Sequence, residues 1–214
     1  MSMAIDLFIC ISLLLLSAYY LALVKKIGYS NEISGFLAGV YLSLILITLL
    51  IHVDSAIFEY ILPLGLLISG CALSYASKFF LLERYTTVLL GSSSVTFWFL
   101  SWSHPCLFKS LFGRIAFFVF VFILFLVAIR NCPVSFPYIC HSLIGSYLFI
   151  LGVDSITDVG IMDIFLAMIF SKRKIDFSAQ TYVPLLLYIF LFLFGFYVYC
   201  IRQHPKPLSS MIQV

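Results

Sequence analysis

The chain alternates long apolar runs with short polar breaks, and the runs have the length a helix needs to cross a hydrocarbon layer, about 20 residues. They fall at about 4–24, 33–51, 57–79, 85–102, 114–129, 135–153 and 182–201. Lys25-Lys26 closes the first, and His52 and Asp54 break the chain before the third. Lys78, Glu83 and Arg84 precede the fourth, and His104-Pro105-Cys106 with Lys109 precedes the fifth. Arg130-Asn131-Cys132-Pro133 ends the fifth, because proline does not continue a helix comfortably. The pattern predicts an all-α fold, a polytopic membrane helical bundle of about seven transmembrane helices over residues 1–203, followed by a short tail, 204–214.

Two stretches need a separate reading. Only Asp6 is charged ahead of the first run, which ends Tyr19-Tyr20-Leu21-Ala22-Leu23-Val24. It has neither the basic start nor the small-residue cleavage site of a signal peptide, so it is expected to stay as a membrane helix. Residues 156–171 hold a run, Ile164 to Phe170, that is too short to span, along with Asp158 and Asp163, which are costly at mid-bilayer. This stretch reads as an amphipathic or re-entrant helix at the interface, followed by the basic cluster Lys172-Arg173-Lys174. If it crossed, the count would be eight; six is the other alternative.

Small and polar residues single out three helices. The second opens with Gly35 and Gly39, a GxxxG pair that permits close helix contact but names no partner. The fourth is the most polar, with Thr86, Thr87, Ser92, Ser93, Ser94 and Thr96 around Gly91. Such hydroxyls either bond to carbonyls of their own helix or line a wet wall. The sixth carries His141, Ser142, Gly145, Ser146 and Gly152 in an otherwise apolar run; Ser142, Gly145, Phe149 and Gly152 recur at helical spacing along one stripe. That stripe is either the packing seam of the bundle or, with His141, part of a site or gate. The candidate residues are thus Gly35, Gly39, Ser93, His141, Ser142, Gly145 and Gly152. Trp98 and Trp102, near the end of the fourth helix, suit an interfacial aromatic belt.

Composition agrees with the pattern. Hydrophobic residues make up 64% of the chain and charged residues 10%, against about half and about a quarter in globular domains. The mean hydropathy is +1.17. A net charge of +3, with basic residues scattered singly or in short clusters, does not suggest nucleic-acid binding. The six cysteines show no CxxC pair and no metal spacing, so they read as small apolar packers. The four histidines lie far apart, and Asp154, Asp158 and Asp163 look like a solvated helix end. No cofactor, no metal and no catalytic chemistry are expected.

The Gly-Phe-x-x-Gly opening of the second helix, Gly35 to Gly39, and the late pattern Ser142, Gly145, Tyr147, Gly152 and Asp154 resemble the domain shared by transmembrane protein 198 and transmembrane seven-superfamily member 3. The resemblance covers about Leu7 to Ile201. It implies a seven-helix integral membrane protein without enzymatic chemistry, of a kind linked to signalling scaffolds and membrane homeostasis, and it offers no catalytic residues to carry over. The third and fourth helices depart from the family by having fewer glycines and more serines.

These readings lead to a non-enzymatic structural or signalling scaffold in the plasma membrane or a secretory-pathway membrane. The alternative is a channel or carrier with a polar path along the fourth and sixth helices. Expected partners are the lipid bilayer, a second copy of the chain through the small-residue seams, and a PDZ domain at Val214, since Met211-Ile212-Gln213-Val214 has the apolar-x-apolar form that adds as a strand.

No Lys or Arg precedes the first helix and two follow it, which places the amino terminus outside or lumenal. Seven spans then put Lys25, Lys26, Lys78, Arg84, Arg130, Arg202 and Lys206 inside, against Lys109, Arg114 and the cluster Lys172, Arg173 and Lys174 outside. An eighth span would move that cluster inside, improving the charge balance at the expense of burying Asp158 and Asp163. In selectively permeabilised cells, a tag at the amino terminus should be reached from the outer or lumenal side and a tag at the carboxyl terminus only from the cytoplasm. Outer access to both ends would overturn seven spans.

Overall fold

The structure is a computed structural model that describes residues 3–23, 30–50, 56–79, 83–102, 110–133, 135–157, 159–161 and 182–203. The tail with Val214, the basic cluster 172–174, and His52, His104 and His204 lie outside the described residues. Those residues form α1 (Met3–Ala18), a π-helical turn (Tyr19–Leu23), α2 (Ser30–Leu50), α3 (Ala56–Phe79), α4 (Glu83–Leu100), α5 (Leu111–Asn131), α6 (Phe136–Thr157) and α7 (Tyr182–Gln203), with no strand among them.

Local chemistry fixes several helix ends. Ser110, in extended backbone, accepts a hydrogen bond from the Gly113 N–H at 3.1 Å and caps α5. That cap starts α5 a turn earlier than the apolar run beginning at Arg114. At the other end the Cys132 N–H donates to the Ala128 carbonyl at 2.9 Å, just before Pro133. Pro137 and Pro184 sit in the first turns of α6 and α7, where a missing N–H removes no helix bond. After α6, Gly160 takes φ +95°, a left-handed conformation that glycine adopts freely.

That turn bears on the segment expected to lie at the interface from 156. Residues 156 and 157 instead continue α6, and beyond Gly160 the side chain of Ile161 returns to the core with 1% exposure. Most of the remainder lies outside the described residues. Asp154, read from sequence as part of a solvated helix end, is buried at 4% exposure, because α6 runs on past it. Cys10 and Cys140 are buried packers, but Cys71 and Cys132 are exposed, which corrects the uniform reading of the cysteines.

Among the described residues three helical stretches are long and apolar enough to cross a membrane: Phe112–Asn131, Phe136–Thr157 and Tyr182–Ile201. They differ in what surrounds them. Of the α6 stretch 67% is buried, against 11% in α5 and 17% in α7. In α5, Phe112, Ile115, Val119, Phe120, Ile123 and Leu124 all face outward. A helix apolar all round is stable only inside protein or against lipid, and exposed aromatic and aliphatic surface on this scale belongs to lipid.

Helix α6 is the axis of the bundle. It packs against α1 and the π-helical turn, α4 and α7, while α4 also carries α2 and α5, and α3 pairs with α2. Two apolar clusters result. One joins Phe97, Leu100, Leu143, Tyr147, Ile150, Leu151, Ile161, Leu185 and Tyr188; the other joins Tyr19, Tyr20 and Ile144.

Candidate functional site

The candidate residues separate into two places. Gly35 and Gly39 belong to the α2–α3 seam. A Cβ on Gly39 would stand 2.5 Å from the Ser69 carbonyl oxygen and 2.9 Å from Gly70 Cα. One on Gly35 would stand 2.5 Å from Ser77 Oγ and 2.9 Å from the Leu73 carbonyl oxygen. The Ser69 hydroxyl donates to the Gly39 carbonyl at 3.4 Å across the same seam. The partner that the GxxxG pair could not name is therefore the next helix in the chain.

The other five candidates surround α6. Gly145 takes the π-helical turn: a Cβ there would meet Leu21 Cγ at 2.8 Å and Tyr20 Cβ at 3.1 Å. Gly152 takes α1, with Leu13 Cβ at 3.2 Å. Ser142 lies beside Gly195 of α7, whose Cβ would meet its Oγ at 3.1 Å. His141, 5% exposed, sets its ring 5.5 Å from that of Tyr20, tilted by 32°. Its Nδ1 is buried and makes no hydrogen bond among the described residues. Tyr20 lies in the π-helical turn, is buried, and its hydroxyl hydrogen-bonds to Ser34 of α2 at 2.9 Å. Inserted π turns of this kind recur at functional sites.

Serine hydroxyls on α4 and α6 turn back on their own helices, whereas the buried Thr87 and Thr96 hydroxyls of α4 make no hydrogen bond among the described residues. Ser93 donates to the Leu89 carbonyl at 2.6 Å, Ser92 to the same carbonyl at 2.9 Å, and Ser94 to those of Leu90 and Gly91. Ser142 donates to Tyr138 at 3.0 Å and Ser146 to Ser142 at 2.7 Å. Each bond satisfies a polar group inside an apolar bundle and leaves a small, dry surface for the neighbouring helix. Gly91 of α4 accordingly lies against Cys140, where a Cβ would meet the cysteine Cβ at 3.0 Å.

Between the two apolar clusters lies a half-open cavity of about 250 Å³. Leu13 of α1, Tyr41 of α2, Ser93 and Phe97 of α4, and Ile144 and Tyr147 of α6 are among its lining. Despite the serine, the walls are almost wholly carbon, because the Ser93 hydroxyl points to the Leu89 carbonyl. Among the described residues no group of three or more His, Cys, Asp or Glu side chains could hold a metal ion.

Trp98 and Trp102 pack against α7 rather than standing apart from the bundle. Trp98 stacks on Tyr188 at 5.4 Å and its indole N–H donates to the Leu185 carbonyl at 2.9 Å. Trp102 lies 6.2 Å from Tyr182. Sequence reading missed Tyr20, Ser34, Gly195 and Tyr188 as members of this region. The Tyr19-Tyr20 pair, separated by four residues from Lys25-Lys26, was the one local hint, since two adjacent polar-tipped aromatics stand late in a run dominated by Leu and Ile.

No curated protein and no solved structure matches the chain. The sequence signature of the TM7S3/TM198-like domain matches residues 10–200, nearly the whole helical region, including both the α2–α3 seam and the α6 stripe. The chain belongs to the TM7S3/TM198-like domain family.

Proposed function

We propose that this membrane protein is a multi-pass, non-enzymatic scaffold whose α6 axis holds the bundle rigid while its outer helices meet lipid and partners. The observation that carries this reading is the self-satisfied serine set of α4 and α6: Ser92, Ser93, Ser94, Ser142 and Ser146 bond to carbonyls of their own helices rather than facing a path. Gly39 and Gly91 bring helices to within contact of each other's backbone, and Gly145 and Gly152 take close-packed side chains of the π-helical turn and α1, which favours a fixed assembly. A scaffold of this kind sits in the plasma membrane or a secretory-pathway membrane.

One observation favours the second reading, a channel or carrier: the buried His141 Nδ1 makes no hydrogen bond among the described residues. Reconstituted into liposomes, the full chain should pass protons and small cations no faster than protein-free liposomes at mildly acidic and neutral pH. The variant His141→Gln should express and fold as the parent does, because an amide keeps a donor and an acceptor at that place. A proton or cation flux that disappears in His141→Gln, with folding intact, would overturn the scaffold reading in favour of the carrier.

A scaffold also needs a docking point, and where Val214 carries the free carboxylate, Met211-Ile212-Gln213-Val214 has the apolar-x-apolar form that adds as a strand to a PDZ domain. The tail peptide should retain PDZ proteins from a lysate, and the same peptide lacking Val214 should not. Equal recovery by both would remove this partner.

A further inference from the structure

The half-open cavity between the two core clusters is not explained by packing. Its lining comes from the middle turns of α2, α4 and α6, residues 37–41, 90–97 and 144–151, and from Leu13 of α1. Helix α1 packs on α6, α6 on α4, and α4 on α2, whereas α1 and α2 have no comparable seam of their own. The one described bond that ties the two sides of that gap is the Tyr20–Ser34 hydrogen bond at the π-helical turn, which closes one end. Elsewhere both helices present outward-facing hydrocarbon: Ile11 and Leu15 of α1, 49% and 67% exposed, and Leu42 of α2, 39% exposed, next to the lining Tyr41.

We propose that this cavity is an acyl-chain site, in which one hydrocarbon chain of a bilayer phospholipid enters sideways between α1 and α2 and lies against α4 and α6. The proposal rests on the bundle lying in the bilayer. At the depth of the middle turns the fluid outside is acyl chain, and an apolar space left unfilled forfeits dispersion contacts on every wall. The space is of the right size. An apolar cavity of about 150 Å³ accepts benzene, so one of about 250 Å³ holds a hydrocarbon segment of about ten carbons. A helix from a second copy does not fit, since a single helical turn about 10 Å across and 5.4 Å long fills about 400 Å³. A polar ligand meets an almost wholly apolar wall: the lining Ser93 and Ser94 donate to the carbonyls of Leu89, Leu90 and Gly91, and the Tyr41 hydroxyl hydrogen-bonds to Ser93.

The test uses the full chain in nanodiscs made with phosphatidylcholine carrying a diazirine midway along one acyl chain. After irradiation, labelled residues are mapped by peptide mass spectrometry. The buried cavity residues Ile144, Tyr147 and Leu151 of α6 should be labelled as strongly as the outward face of α5 at residues 119–124, while Cys140 to Ser142 of the same helix stay unlabelled. Leu148→Phe, which narrows the cavity from a half-buried position, should lower the α6 label about tenfold and leave the α5 label unchanged. An α6 label no higher than that at Cys140 to Ser142, or one unchanged in a correctly folded Leu148→Phe, would overturn the proposal. Should that variant not fold, the α6 to α5 ratio in the parent chain decides alone. Labelling of α6 by a diazirine sterol but not by the phospholipid would also overturn it. No label on α5 would overturn the bilayer reading itself and the acyl-chain site with it.

Discussion

Gly39→Ala is expected to split α2 from α3 and to give the lowest folded yield of any single methyl addition in the bundle. The added Cβ would stand 2.5 Å from the Ser69 carbonyl oxygen and 2.9 Å from Gly70 Cα, and both are backbone atoms. Backbone cannot rotate aside as a side chain does, so the two helices must separate along the whole seam, taking Gly35 off Ser77 as well. The cost is expected to reach about 3 kcal/mol, the upper end of the range for overpacked sites. Thermal unfolding in detergent, read by gel filtration, measures it. Gly65→Ala is the matched control on α3, since a Cβ there meets nothing within 4 Å. A Gly39→Ala protein as stable as the Gly65→Ala protein would show that α2 and α3 do not pack as described.

Gly145→Leu is the second large effect, and it acts on the axis. Here the Cβ alone meets Leu21 Cγ at 2.8 Å and Tyr20 Cβ at 3.1 Å, and three further carbons must find room between α6 and the π-helical turn. Displacing that turn would pull Tyr20 from His141 and from Ser34, so packing and hydrogen bonding are lost together. Folded yield should fall by the equivalent of about 3 kcal/mol or more. Gly145→Ala should be milder, because its nearest neighbours belong to side chains that can shift. Leu148→Ile, on a different face, should cost less than about 1.5 kcal/mol, as shape-conserving swaps do. Parental expression of Gly145→Leu would remove α6 from the centre of the bundle.

Much of the helical layout was legible because a 20-residue apolar run with a polar break has few other readings, and α3 and α7 begin and end within about two residues of their runs. The ends set by local polar chemistry were harder. Ser110 caps α5 from outside the apolar run, and hydropathy alone does not register a hydroxyl that accepts one N–H. The π-helical turn at Tyr19–Leu23 was invisible for a different reason: it keeps the composition of a helix and changes only the angular register, by one residue. For the candidate site, sequence spacing set Ser142, Gly145 and Gly152 on neighbouring positions of one helix, but spacing within a helix says nothing of what lies across from it. Their three different neighbours, α7, the π-helical turn and α1, follow from tertiary placement. Asp154 was misjudged because a carboxylate near the end of a run looks solvated until the helix is seen to continue through Thr157.

The two tryptophans of the chain, Trp98 and Trp102, stand 5.6 Å apart, and both touch α7, through Tyr188, the Leu185 carbonyl and Tyr182. Every indole in the molecule therefore reports on a single event, the seating of the last helix against the fourth. Ultraviolet emission of the unlabelled protein is a built-in gauge of that docking: its wavelength maximum should move to the red when α7 lifts away and the indoles meet water, and it should hold steady through changes confined to the α2–α3 pair.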